Sequence, residues 1–382
     1  MNFDLAKSTI LLVLSGSRAY GFHSESSDWD YRGICIPPLD TYIGINNKFE
    51  QAVDAKSKHV WKHFPPGLVQ PEADMQVMEL TKFCRLAADC NPSIIEILFS
   101  DESSIVHMDP IVSPLLEKRE MFLSKRAKAR FCGYALSQLN RIRRHKRWLD
   151  NPLTHEPRRE DYGLPGSGVI SADQIGAAEA IIRREVDAFV VDQNDLPEHT
   201  KIELTNGLGR MMRAVWAALN DSPYPVGEGK KFGSAEDALA EAVMRQEGFS
   251  ENFIEVLKKE KQYRGARQEW ESYQRWLRER NPARAELEKK FGFDSKFATH
   301  LVRLIRTCRE ILETGKVNVK RPDAEELRAI RAGAWTYEMV CDFAEKEDEA
   351  LNLVMKNSKL RQAPDTDVIQ KIVFDMIMKF NS

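Results

Sequence analysis

The chain of 382 residues lacks several features that define specialised classes of protein. Its longest strongly apolar run, Ile10 to Leu14, is far shorter than the roughly 20 residues that a membrane helix needs. The six cysteines are scattered without a Cys-x-x-Cys pair, which argues against a disulfide framework or a zinc cluster. No small-residue cleavage site follows a long apolar stretch near the start. We therefore expect a cytoplasmic protein without membrane contact.

An excess of charge of one sign is also missing. The 56 Lys and Arg residues are balanced by 58 Asp and Glu, and the formal net charge is -2. Proteins that bind nucleic acids usually have a basic total, so this balance alone disfavours that class. A hydrophobic fraction of 42% and a charged fraction of 30% are typical of globular chains. The length suggests two or three domains.

The first hundred residues show a mixed pattern. Three apolar or alternating runs predict strands: Ile10 to Leu14, Tyr31 to Ile36, and Asp74 to Met78. From Glu79 the apolar residues recur every three or four positions, which predicts a helix, and Asn91-Pro92 is typical of the start of another. This pattern indicates an α+β arrangement.

After about residue 111 almost every segment has the periodicity of a helix. The clearest runs from Asp294 to Thr314, and Gly315 is expected to end it. Further helices are predicted to begin near Pro322, Tyr337 and Asp367. We therefore predict an α+β domain over residues 1–110 and a mainly α-helical region over residues 111–382.

One segment carries the clearest chemical signal. Gly16-Ser17 is followed, after ten residues, by Asp28-Trp29-Asp30. Two aspartates separated by one residue on a strand point to the same face, so both carboxylates can bind the same hard cations. The pair alone is not diagnostic, because a second one, Asp365 and Asp367, has the pattern of a polar helix start.

The surroundings of the first pair strengthen its interpretation. A predicted apolar strand leads into Gly16-Ser17, where backbone N–H groups and a hydroxyl at a helix start can bind phosphate. Asp74 begins the next predicted strand and adds a third carboxylate; Glu72 and Glu79 are close by, but only Asp74 is followed by an alternating run. Three carboxylates beside a phosphate-binding turn suit two Mg²⁺ ions, or Mn²⁺, and nucleotidyl transfer, with Asp74 as general base.

These motifs resemble the DNA polymerase beta superfamily of nucleotidyltransferases, with its Gly-Ser turn, Asp-x-Asp pair and later strand carboxylate. More closely, the chain is similar to the YcgL-like predicted nucleotidyltransferases of bacteria and phages, which are associated with RNA repair. The similar segments cover residues 16–21, 27–33, 91–92, 293–304, 310–315 and 321–323.

The resemblance implies a small mixed sheet with flanking helices and Mg²⁺-dependent transfer from a nucleoside triphosphate (NTP). Asp28, Asp30 and Asp74 would then bind the metals, and Gly16, Ser17 and the neighbouring Arg18 would bind the nucleotide. Members of the family occur in RNA-repair systems, often with RNA ligases. This favours an RNA end, above all that of a tRNA, as the acceptor and an RNA ligase as a partner in the pathway.

Four further cations are candidates for nucleotide binding. Arg32 shares the strand face of the aspartates, where it could either neutralise triphosphate charge or pair with Asp28 or Asp30. The predicted helix from Asp294 carries Lys296, His300 and Arg303 at spacings of four and three. These positions predict a shared polar side opposite the apolar stripe.

A strongly basic stretch stands out against the neutral total. Between residues 118 and 147 there are eleven Lys or Arg and one acid, which gives a local charge of +10 and leaves -12 for the rest. Such a helix can follow a phosphate backbone, and Tyr134 and Trp148 could stack on bases. The alternative is a solvated helix whose charges are met by acids elsewhere. The predicted RNA-binding residues are Arg141, Arg143, Arg144 and Arg147.

The leading hypothesis is a nucleotidyltransferase that adds NMP from an NTP to an RNA end, in RNA repair or modification, and releases pyrophosphate. One alternative is transfer to a protein or a small molecule, as in AMP-transferring toxins or antitoxins, which does not need the basic helix. Another is a non-catalytic RNA-binding module. The three mutually repelling carboxylates argue against the module, because a site without turnover need not keep them together.

Overall fold

The structure is a computed structural model that describes residues 3–25, 27–43, 48–53, 59–166, 180 and 250–382. The chain divides into two compact units. One comprises Met1–Pro152 with Arg280–Ser382, and the other comprises Leu153–Glu279. The domain boundary predicted after residue 110 lies inside the first of these units.

A five-stranded mixed sheet forms the front part of the first unit. Its strands are β1 (Thr9–Ser15), β2 (Asp30–Cys35), β3 (Gln51–Val53), β4 (Asp74–Glu79) and β5 (Ile105–Met108). The spatial order is β3-β4-β2-β1-β5, in which only the pairing of β2 with β4 is parallel. The three strands predicted from the sequence are present, and the predicted α+β fold with a small mixed sheet is confirmed.

Helices make up most of the remaining described structure. In the first unit these are α1 (Leu5–Ser8), α2 (Gly16–Tyr20), α3 (Leu39–Ile43), α4 (Leu80–Ala88), α5 (Pro92–Leu98), α6 (Ser113–Glu117), α7 (Arg126–Asp150), α9 (Pro282–Phe291), α10 (Ser295–Thr314), α11 (Ala324–Arg331), α12 (Tyr337–Asn357) and α13 (Thr366–Phe380). The second unit contains α8 (Glu251–Glu279). Short 3₁₀ turns occur at Val60–His63, Glu102–Ser104, Pro110–Val112, Arg119–Phe122 and Arg159–Tyr162. Within the described ranges, no helix has both the length and the apolar character needed to cross a bilayer.

Side-chain caps fix the helix starts that the sequence predicts. The Asn91 side chain accepts a hydrogen bond from the backbone N–H of Ser93 at 3.1 Å and caps α5. Asp294 caps α10 in the same way, and Gly315, with φ of 69°, ends that helix in the left-handed conformation. Asp365 caps α13, so the second Asp-x-Asp pair is the polar helix start that we predicted.

One hydrophobic core joins the sheet to the helices of the first unit. It contains Ile10 from β1, Phe83 from α4, Phe131 from α7 and Leu301 from α10, all fully buried. The apolar stripe of α10 packs chiefly against α7 and α12. Because this core is continuous, the front sheet and the later helices form one compact unit rather than separate layers.

A buried ion pair connects α5 with α10. Arg303 of α10 contacts the carboxylate of Glu96, and the Tyr20 hydroxyl donates to Glu96 Oε2 at 2.6 Å. The Arg303 guanidinium also lies 4.0 Å from the centre of the Tyr20 ring. Arg303 is therefore buried and paired with a carboxylate, so the prediction of a polar side of α10 shared with Lys296 and His300 is wrong for Arg303. Three-residue spacing alone could not reveal the buried carboxylate on α5.

Removal of the Glu96 carboxylate should destabilise the protein strongly. Glu96→Ala leaves the Arg303 charge buried without its partner, which costs about 3 kcal/mol or more. Glu345→Ala is a matched control, because it breaks the ion pair with Arg143 while the Glu345 side chain is 66% exposed. We expect the control to cost less than about 1 kcal/mol. Urea unfolding measures both, and equal losses would contradict the structural role of the buried pair.

Candidate active site

The strand pairing brings three segments to one edge of the sheet. β1 ends at Ser15, which pairs with Asp30, and Asp30 pairs with Asp74 on the parallel neighbour β4. Since paired residues on adjacent strands point to the same face, the two carboxylates lie side by side. The sequence pattern predicted both aspartates of the pair on one strand. In the structure, Asp28 lies in the loop before β2, and the strand begins at Asp30.

The turn after β1 depends on a glycine. Gly16 has φ of +68° at the start of α2, a conformation that a residue with a side chain adopts only with strain. A Cβ atom at this position would also collide with the carboxylate of Asp30. Gly16-Ser17 is therefore a turn that passes directly against the Asp30 carboxylate, and α2 begins where the sequence predicted a helix start.

Arg18 holds the loop that contains Asp28. Its Nη2 donates to the backbone oxygen of Ser27 at 2.8 Å, and its Nε donates to that of Asp28 at 3.3 Å. The guanidinium lies 3.9 Å from the centre of the Trp29 ring. These contacts hold the loop that contains Asp28 in place. Arg18 therefore helps to shape the site, and its role in nucleotide binding stays a prediction.

Arg32 pairs with the third carboxylate of the site. Its Nη2 lies 2.9 Å from Asp74 Oδ2, and its Nη1 donates to the backbone oxygens of Asp74 and Tyr31 at 3.0 and 2.9 Å. The sequence left open whether Arg32 pairs with a carboxylate or neutralises triphosphate. The structure shows pairing, but with Asp74 rather than with Asp28 or Asp30. Glu79, the other nearby acid on β4, instead caps α4.

The carboxylates repel one another. Burial raises the pKa of Asp30, and the charges of Asp74 and Asp28 raise it further, while Arg32 and Lys296 lower it. Such an environment favours a bound cation, because a positive charge relieves both the burial cost and the mutual repulsion.

Lys296 of α10 and Arg331 of α11 lie near the carboxylates, and Arg284 of α9 lies near both of these cations. Burial, together with Arg284 and Arg331, lowers the pKa of Lys296, whereas Asp28 and Asp30 raise it. Burial and Arg284 likewise lower the pKa of Arg331, and Asp28 opposes this shift. Lys296 was predicted from the sequence, but Arg284 on α9 and Arg331 on α11 were missed, because no local spacing connects them with the other site residues.

His300 lies one turn after Lys296 on α10 and is half-buried. Burial, then the charges of Arg303 and Lys296, lowers the pKa of His300 to about 3. The imidazole is therefore neutral near pH 7. It can offer one hydrogen-bond donor and one acceptor, but it adds no positive charge for a nucleotide.

The arginines predicted for RNA binding lie on α7. Arg141, Arg144 and Arg147 are exposed, whereas Arg143 is half-buried and its Nη2 lies 2.7 Å from Glu345 Oε1. The predicted set of four therefore does not form a uniform surface. Trp148 is buried, so it is not a base-stacking platform in this structure, while Tyr134 is exposed.

Carboxylate oxygens are the ligands that Mg²⁺ prefers in proteins, so the chemistry of the donor set fits this ion. Asp28, Asp30 and Asp74 are close enough for their charges to interact. Among the described residues, however, no group of three or more His, Cys, Asp or Glu side chains is placed so that it could hold a metal ion. Arg32 holds the Asp74 carboxylate in its place. The site therefore contains carboxylates, which are residues able to bind a cation, and Arg32 is an internal counterion to one of them, Asp74.

A small mixed sheet with a Gly-Ser turn and carboxylates at one edge is the arrangement that the resemblance to polymerase-beta-like proteins implies. Comparison with known families agrees: residues 4–153 match the family described as "RNA repair pathway DNA polymerase beta family", RlaP. The resemblance identified from the sequence is thereby confirmed over this part of the chain.

A curated relative supports the same resemblance. The chain is 35% identical over 92 residues to "Uncharacterized protein YcgL" of Bacillus subtilis (strain 168). The aligned part is 24% of this chain and spans 30% of the relative. No solved structure matches the chain significantly.

Substitution of Gly16 should test the close contact with Asp30. Gly16→Ala introduces strain from the positive φ and a clash with the carboxylate, so we expect a loss of more than about 2 kcal/mol in unfolding free energy. Gly67→Ala is the matched control, because Gly67 has φ of +88° but open space around its Cβ position. The control isolates backbone strain, which costs about 1 to 2 kcal/mol. Equal losses in urea unfolding would show that the contact with Asp30 does not matter.

The low pKa of His300 predicts a specific pH dependence. As pH falls from about 6.5 towards 3, the unfolded chain takes up a proton at His300 that the folded chain does not, so folding loses stability. His300→Gln removes this contribution. The stability of the native protein relative to the variant should therefore decrease across this range. Urea unfolding at successive pH values measures the difference, and parallel profiles would contradict it.

Proposed function

We propose that this protein is a Mg²⁺-dependent nucleotidyltransferase that transfers NMP from an NTP to an RNA end, with release of pyrophosphate. The acceptor we favour is a tRNA end in RNA repair or modification, and an RNA ligase is the partner that would join the processed end. The observation that carries the proposal is the placement of Asp28, Asp30 and Asp74 at one sheet edge, beside the Gly16-Ser17 turn. The match to an RNA-repair polymerase beta family over residues 4–153 supports it.

The metal ions would be held by Asp28, Asp30 and Asp74. When bound, a pair of Mg²⁺ ions supplies charge stabilisation at the triphosphate and lowers the pKa of the attacking hydroxyl. Arg18 keeps the Asp28 loop in place through the backbone oxygens of Ser27 and Asp28. Gly16 lets the chain pass close to Asp30, since any larger residue would displace that carboxylate.

The triphosphate would lie between the Gly16-Ser17 turn and the cations of the helices. Backbone N–H groups and the Ser17 hydroxyl would donate to phosphate oxygens, and Lys296 and Arg331 would neutralise triphosphate charge. Both cations already interact electrostatically with Asp28. A metal-bound nucleotide would therefore bind to a site that combines anionic metal ligands with phosphate-binding cations.

Asp74 is the residue we propose as general base. Its side chain is 58% exposed, so an acceptor hydroxyl can reach it, and Arg32 contacts it from the neighbouring strand. As general base, the Asp74 carboxylate would accept the proton of the acceptor hydroxyl. Arg32 holds this carboxylate in place through its Nη2, which lies 2.9 Å from Asp74 Oδ2.

The decisive experiment combines labelled substrates with variants of the site. Purified protein is incubated with Mg²⁺, each α-labelled NTP in turn, total RNA and a mixture of protein acceptors. We expect label in RNA, and a loss of at least about 100-fold in Asp28→Asn and Asp30→Asn, because each change removes a metal ligand. Asp365→Asn is the control, since it alters the other Asp-x-Asp pair and asparagine can still cap α13.

The other outcomes are equally informative. Label that appears only in protein would replace RNA with a protein acceptor. Label in RNA that persists in both Asn variants would exclude the carboxylates from catalysis. RNA binding without any transfer, over all four NTPs, would favour a non-catalytic RNA-binding module.

A further inference from the structure

Six basic residues of α7 fall into two sets according to what they contact. Four of them pair with acids: Lys128 with Asp348, Arg130 with Asp89, Arg143 with Glu345, and Lys146 with Asp150. Arg141 and Arg144 differ, since no carboxylate in the described part of the chain pairs with either. Both are exposed, and both guanidinium groups lie over aromatic rings. The charge of +10 between residues 118 and 147 is thus partly neutralised by paired acids, whereas the charges of Arg141 and Arg144 are not neutralised by a paired carboxylate.

The aromatic supports of these arginines connect α7 with the candidate active site. The Arg141 guanidinium lies 5.6 Å from the centre of the Phe297 ring, and that of Arg284 on α9 lies 4.7 Å from the same ring. Phe297 is in the first turn of α10, directly after Lys296. Arg284 also contacts Asp294 at 3.4 Å, which fixes it beside this turn.

A second stacked arginine follows on α7. Arg144 lies one turn beyond Arg141, and its guanidinium is 5.5 Å from the Trp148 ring centre. The ring centres of His145 and Trp148 are 5.6 Å apart and those of His145 and Phe297 are 5.9 Å apart, so the half-buried His145 ring joins the two buried rings. Arg144, Arg141 and Arg284 therefore share one aromatic cluster, and Arg284 interacts electrostatically with Lys296 of the candidate site.

Arginine on an aromatic ring is well suited to bind phosphate. Stacking fixes the planar guanidinium at little further entropic cost and leaves its N–H edges free to donate. Since the rings are buried, the exposed contacts in this cluster come from the cations and can follow a backbone regardless of base sequence. A flexible strand whose end enters the carboxylate site can bring its preceding phosphates to these stacked arginines.

We propose that Arg144, Arg141 and Arg284 form a track for the phosphates of a single-stranded RNA end, which leads the acceptor along α7 to the carboxylate site. The proposal rests on the proposed function only for the fate of that end. RNA affinity does not depend on turnover, so the two can be tested separately.

The test measures binding of a fluorescein-labelled single-stranded RNA of 20 nucleotides to the full chain by anisotropy over a range of salt concentrations. Arg141→Gln with Arg144→Gln should weaken affinity about tenfold or more. The slope of log affinity against log salt should decrease by about 1.4, because two phosphate contacts are lost. Arg284→Gln should weaken binding to a smaller extent, because Arg284 is already paired with Asp294.

The control is the charge-matched pair Arg130→Gln with Lys146→Gln on the same helix. Both side chains are ion-paired with acids, so we expect a change in affinity of less than about threefold. The conservative pair Arg141→Lys with Arg144→Lys keeps the charge but loses the planar stacking group, and should bind RNA with intermediate affinity. This pair also provides the test if the glutamine variant does not fold.

The results separate the track from the proposed function. If the Arg141 and Arg144 variants, glutamine or lysine, bind RNA like the native protein, the track is wrong even where NMP transfer to RNA is observed. If they lose affinity while the native protein transfers no NMP, the track is supported and the proposed function fails. If the control pair loses as much RNA affinity, the effect is one of net charge alone and the track is wrong. Transfer only to protein, with no RNA binding, would overturn it in favour of a protein acceptor.

Discussion

The parallel hydrogen-bond ladder between β2 and β4 determines the rest of the candidate site. It places Asp30 directly beside Asp74, and the antiparallel pairing of β1 with β2 brings the turn at Gly16 to the same point. Two carboxylates fixed this closely raise the electrostatic energy of the sheet edge, so cations must be supplied around them. Arg32 provides one from the sheet itself, and Lys296 provides another from α10. The backbone register fixes the distance between the two carboxylates, and the surrounding cations are arranged to compensate their charge.

The helices after the sheet contribute to the site because they share its core. The apolar stripe of α10 packs against α7, and its first turn carries Lys296 to the carboxylates. The ion pair between Arg303 and Glu96, together with the Tyr20 hydroxyl, ties the same helix to α5 and to the helix that follows the Gly-Ser turn. The position of α10 is thus fixed both by apolar packing and by the buried Arg303–Glu96 ion pair, which is costly to break.

Local patterns predicted the parts of this structure that depend on local physics. Alternation and helical spacing located β1, β2, β4 and α10, and Gly16 with the Asp28 and Asp30 pair marked the turn and the carboxylates. Contacts between distant segments could not be predicted in this way. Arg284 and Arg331 are separated by an entire helix, and the burial of Arg303 depends on a glutamate more than 200 residues earlier. The partner of Arg32 was missed for the same reason, since it is set by strand register and not by spacing within β2.

The ion pair between Arg32 and Asp74 has a consequence for the protein before any substrate arrives. A cation that is covalently part of β2 is present at a fixed local concentration, whatever the ionic strength or the supply of divalent ions. Part of the negative charge at this end of the sheet is therefore neutralised as soon as β2 and β4 pair, so the two strands can come together without an added cation. Any cation that binds the Asp74 carboxylate must then compete with the Arg32 guanidinium. Arg32 is thus a built-in counterion of Asp74, so folding of this part of the site does not depend on the binding of a ligand.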